Sequence, residues 1–161
     1  ILRIYTENNG GNVFDLINFL FISEGYEGNK EDYYNPLNSN LDYLLTYKKG
    51  LPITLTILLM LVANKLGFKV EGCRFPGHFL AKVFINDNVF LVDCFNRGKI
   101  ISERELKSLA AESYESFLTI INEKTTVKMI LIRILSNLYK AYELKGDLTN
   151  QQFFEELAMS I

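Results

Sequence analysis

A chain of 161 residues with 48% hydrophobic and 22% charged side chains has the composition of a folded globular protein, long enough to bury a core without staples. Seventeen basic against nineteen acidic side chains leave a net charge of −2, which argues against a nucleic-acid binder that works by neutralising phosphates. One histidine, His78, and two cysteines, Cys73 and Cys94, fall short of the ligand sets of zinc sites, so neither metal nor cofactor is expected.

Two cysteines make no disulfide framework, and a reducing cytoplasmic setting is the default. The chain starts at Ile1 rather than at a methionine, so flanking sequence is expected. Residues 13–22 are apolar at helical spacing, and Gly25, Gly28, Asn29 and Asn35-Pro36 then mark a loop. A second short helix is predicted over 40–47, with Asn38 and Ser39 as its caps.

Residues 51–63 form the densest apolar run, 13 residues including Pro52, Thr54 and Thr56. That is short of the roughly 20 residues of a membrane span and follows a polar segment, so no membrane partner is expected. Pro52 suits a first helical turn, and Gly67, after Lys65 and Leu66, suits a helix stop. With almost no polar face between those limits, the helix must be surrounded on all sides.

The period then changes. Strands are predicted over 68–73, 79–85 and 89–94, the last two joined through Asn86-Asp87-Asn88, with a short fourth over 99–101. From Ser102 the pattern is helical. Ser102 with Glu105 and Thr149 with Gln152 read as capping boxes, and Val127, Ile130, Leu131, Ile134, Leu135, Leu138 and Tyr142 keep a helical period. The fold class is α+β: a buried central helix on a small antiparallel sheet, then C-terminal helices. One domain over 1–161 is expected, with its core about 13–101 and its helical part 102–161.

His78 stands at the mouth of one strand, in Pro76-Gly77-His78-Phe79, and Asp93 near the end of the next. A two-residue hairpin connection would put both on one face in diagonal reach, and a three-residue one would put them on opposite faces. A carboxylate beside an imidazole fixes its tautomer, as a catalytic base requires, and also as any structural His–Asp bond does.

Several blocks resemble one family. Gly25-Tyr26-Glu27-Gly28-Asn29, Tyr33-Tyr34-Asn35-Pro36-Leu37-Asn38-Ser39, Gly50-Leu51-Pro52-Ile53-Thr54-Leu55, Pro76-Gly77-His78-Phe79-Leu80 and Asp93-Cys94-Phe95-Asn96 follow one another in its order. Arg133-Ile134-Leu135-Ser136-Asn137-Leu138 adds a weaker tail match. They are similar to the SirB-type transglutaminase-like family of bacterial proteins, over roughly residues 13 to 140. The resemblance implies a papain/transglutaminase-type fold, in which a cysteine opens the central helix and histidine and aspartate lie on adjacent strands. Counting back from Gly67 puts Pro52 where that thiol would be, as the SirB-type pattern itself does, and proline offers neither nucleophile nor N–H.

Thr54, Cys94 or Cys73 could substitute as nucleophile. The competing readings are a hydroxyl bonded to backbone and two small core thiols. Cys94 departs from the family's proline. Asn96, Arg97 and Asn38 are candidate binding residues beside the pair, though an arginine at Arg97 is as readily a surface group and the family favours glycine there. Tyr33, Tyr34 and Tyr43 are candidates to line a groove. The reading these residues favour is a catalytically silent transglutaminase-like domain, a regulatory module that binds protein, peptide or small ligand in a vestigial His/Asp cleft. The alternatives are a hydrolase or acyl transferase with an unconventional nucleophile, and an adaptor acting through its C-terminal helices.

Overall fold

The computed structural model of the chain describes residues 5–6, 11–75, 77–86, 88–102, 105, 119 and 121–161. Much of the segment predicted helical after Ser102 lies outside these. Helix α1, Val13–Asn18, starts in a capping box in which Asn12 accepts from the Phe14 and Asp15 amides and Asp15 returns a bond to the Asn12 amide. The apolar run continues past it as a π-helical turn, Phe19–Ser23. Two-residue strands β1, Glu27–Gly28, and β2, Lys49–Gly50, pair in parallel. Between them lies helix α2, Leu41–Tyr47.

The cap of α2 is Asn40, whose side chain accepts from the Asp42 and Tyr43 amides, rather than Asn38 or Ser39. Those two close a 3-10 turn, Pro36–Ser39, that uses Asn35 as its own cap and shifts the next free acceptor to Asn40.

Helix α3, Pro52–Lys65, is the central element, with Pro52 in its first turn and Gly67 at φ 86 beyond its end. Strands β3, Val70–Cys73, β4, Leu80–Ile85, β5, Asn88–Asp93, and β6, Lys99–Ile101, form an antiparallel sheet in that order. The first starts two residues later than its apolar pattern suggests. Alternation assigns the faces: Ala81, Val83 and Val92 join Leu55, Leu58, Leu59, Val62 and Ala63 in the main core. Cys73, Leu80 and Leu91 form a second cluster that Phe75 completes and Ile101 and Ile121 flank.

Helix α4, Val127–Lys145, is capped by Thr126 and closed by Gly146 at φ 70. Helix α5, Leu148–Met159, folds back so that Phe154 stacks on Tyr142, centroids 5.5 Å apart. Its cap is Asp147, which accepts from the Asn150 amide, so the Thr149–Gln152 pattern is not a capping box. Thr149 already lies inside the helix, and Gln152 bonds Glu156 instead. Ser102 and Glu105 do exchange capping-box bonds. Among the described residues no helix is long and apolar enough to cross a membrane.

Candidate functional site

The β4–β5 connection has two residues, since Ile85 pairs with Asn88, and Asn86 takes the left-handed conformation that such a turn needs. With that register His78 and Asp93 share a face, and His78 Nε2 lies 2.9 Å from Asp93 Oδ1. The turn after β5 brings Asn96 back onto the same carboxylate. Its amide donates to Oδ1 at 3.1 Å and its side chain donates to Oδ2 at 2.7 Å. Burial alone would raise the Asp93 carboxyl; bonds from His78 and Asn96 more than offset it and hold it below its ordinary range. Nδ1 is then the imidazole nitrogen left for a further partner.

The pair is braced by an aromatic step. The Phe95 ring lies 6.2 Å from the His78 ring and 5.7 Å from Tyr33, centroid to centroid. Gly28 donates its amide to the Phe95 carbonyl at 3.0 Å, and a side chain at Gly28 would overlap the Phe95 ring. Arg97 is half-exposed at φ 58, with its Nε 3.3 Å from Glu27 Oε2. Glu27 is also bonded to Lys49, and that bond, against a smaller opposing effect of burial, lowers its carboxyl. Arg97 therefore clamps the turn to β1.

Asn38 lies inside the fold, not on a binding surface. Its side chain is fully buried, donates to the Asp32 and Tyr33 carbonyls at 2.6 and 3.0 Å, and accepts from Asn29 at 3.0 Å. Its own carbonyl accepts from the Leu51 amide at 3.3 Å and from the Thr54 hydroxyl at 2.8 Å. Thr54 is thereby committed to backbone rather than to His78. The Thr56 hydroxyl is buried too and finds no hydrogen bond of good geometry; the Cys94 thiol is the polar group it meets. Burial pushes Cys94 up to about 12 and Cys73 up to about 11, so both remain neutral thiols in the core.

The start of α3 is covered. Leu51, Ile53 and Phe79 form a buried cluster against which Tyr33, Ile130 and Ile134 pack, so α4 lies across the helix entrance. Tyr33 and Tyr34 border a cavity of only about 40 Å³, and Tyr43 packs on Tyr47 instead. His78 itself borders a larger open cleft of about 410 Å³ between the β3–β4 turn and α4. Arg133, from the weak tail match, reaches the same cleft, which no local pattern in the sequence signals. Among the described residues no three His, Cys, Asp or Glu side chains converge on a metal position.

A buried helix packed on an antiparallel sheet, with a histidine just before one strand bonded to an aspartate at the end of the next, is a transglutaminase-like arrangement. The chain belongs to the transglutaminase-like superfamily, whose family model matches residues 6–146. It is 35% identical over 131 residues to a UPF0162 protein of Xylella fastidiosa, covering 77% of this chain and 46% of that protein. It is 34% identical over 91 residues to a UPF0162 protein of Vibrio cholerae, covering 55% and 33%. It is also 32% identical over 145 residues to F-box only protein 21 of Mus musculus, covering 83% and 22%. The chain thus spans about half the length of the Xylella relative and less of the others. No solved structure matches it significantly.

Proposed function

We propose that this chain is a catalytically silent transglutaminase-like domain of the SirB type, a regulatory module that binds a peptide or protein segment beside His78 in a reducing, cytoplasmic setting. The observation that carries the reading is a held His78–Asp93 pair, and Pro52 in the first turn of α3, at the position the family resemblance gives to the nucleophilic thiol, supports it. Acyl transfer needs a nucleophile within hydrogen-bond reach of its base. Pro52 supplies none, Thr54 donates elsewhere, and both thiols are buried and raised. Tyr33, Ile130 and Ile134 over Leu51 and Ile53 further close the helix entrance to an acyl substrate. What stays open is the cleft at His78, and a pair kept aligned there can still orient a ligand through hydrogen bonds.

The test is intact-mass spectrometry after incubation with p-nitrophenyl acetate, on wild type and His78→Ala. No adduct that depends on His78 is expected. An acyl adduct on Thr54, Cys73 or Cys94 that disappears in His78→Ala would establish the hydrolase or acyl-transferase reading instead.

A further inference from the structure

The cleft at His78 has a composition that selects its ligand. Met129, Ile132, Arg133 and Ser136 all border it, and their spacing puts them on one face of α4, with neighbouring Cβ atoms about 5–6 Å apart. Arg133 is solvent-exposed and has no ion-pair partner among the described residues. Among the described residues the other charges on the lining are Arg74 and Glu123, and these satisfy each other: Arg74 Nη2 lies 3.2 and 3.1 Å from the two Glu123 carboxylate oxygens. Asp93, behind the imidazole, is engaged by His78 and Asn96. The Ser136 hydroxyl donates to the Ile132 carbonyl at 2.8 Å. Among the described residues, one guanidinium as donor and His78 Nδ1 as acceptor thus remain to meet a ligand.

We infer that Arg133 forms a carboxylate subsite in this cleft, which takes the C-terminal carboxylate of a peptide whose last side chain is apolar, while His78 Nδ1 accepts from that peptide's last backbone N–H. The inference rests on the cleft being a binding site, and it names the chemistry of the occupant. A guanidinium offers a planar pair of donors that matches a carboxylate, and a single free cation matches a single negative charge. Met129 and Ile132 share the lining face of α4 with that cation, and Phe75 and Phe79 add apolar surface to the same cleft. A chain terminus presents a carboxylate and an apolar side chain on one residue, which matches this mixed lining and which an internal Asp or Glu does not offer.

The experiment is an NMR titration of the whole chain with acetyl-Ala-Leu and, separately, with its C-terminal amide. The His78 ring signals need no assignment, because the chain has one histidine; the Arg133 Nε–H signal is followed alongside. The acid should shift both signals saturably and at least tenfold more tightly than the amide. Arg133→Gln should lose that preference with the rest of the amide spectrum unchanged. Equal affinity for acid and amide at His78 would overturn the carboxylate subsite while leaving the cleft a binding site. Shifts that avoid both residues, or none with either peptide, would overturn the subsite outright.

Discussion

Replacing Thr54 by valine removes one hydroxyl, keeps the side-chain volume, and separates the two roles open to that residue. In the structure the hydroxyl is buried and donates to the Asn38 carbonyl at 2.8 Å, tying the start of α3 to the Pro36–Ser39 turn. Losing a buried hydrogen bond costs about 1–3 kcal/mol when its partner is left bare. Here the Asn38 carbonyl keeps the Leu51 amide at 3.3 Å, which puts the loss at the low end, about 1–1.5 kcal/mol. For a chain of this length that lowers Tm by about 2–6 °C. Calorimetry reads the shift directly, and the His78 ring signals should stay in place. An unchanged Tm accompanied by lost reactivity towards p-nitrophenyl acetate would refute the argument, because it would make the hydroxyl a reacting group rather than a strut.

Three further outcomes follow from the same geometry. Neither cysteine of the native protein should react with Ellman's reagent in mildly alkaline buffer, whereas both should react once the chain is unfolded in guanidinium; one fast native thiol would contradict the burial of Cys73 and Cys94. Gly28→Ala should cost about 1–3 kcal/mol, because the methyl overlaps Phe95. It should also move the His78 ring signals, since Phe95 rests against that ring; a variant as stable as wild type would show that the contact is slack. Asp93 is held below its ordinary carboxyl range in the folded chain. Its contribution to stability is therefore full above the unfolded carboxyl value, about 3.9, and is lost as pH falls through the folded value. Acid unfolding curves of wild type and Asp93→Asn should converge over that window, and parallel curves would count against the coupling.

Local signals in the sequence were sufficient wherever one residue type had a single use. Pro52 and Gly67 bracket α3 because no other residue near either end could serve. The shared face of His78 and Asp93 hung on the length of one turn, and Asn86 at φ 52 supplies the two-residue connection. Where several polar residues competed, the pattern misled. Asn35, Asn38, Ser39 and Asn40 can all cap, and the 3-10 turn decided among them by consuming the first and burying the second. Asp147 likewise captured the start of α5 two residues ahead of Thr149. The place of Arg133 on the cleft was not legible, because an arginine on an amphipathic helix reads as solvated surface until tertiary packing lays that helix beside His78.

The most direct measurement is the tautomer of His78, from long-range proton–nitrogen correlation in mildly alkaline buffer. Asp93 accepts the Nε2 proton, which leaves Nδ1 as the nitrogen that accepts from a ligand. A single Nε2–H tautomer with a slowly exchanging ring proton is the expected result. An Nδ1–H tautomer, or a freely averaging ring, would mean that Asp93 does not hold His78, and the binding cleft built on that pair would fall with it.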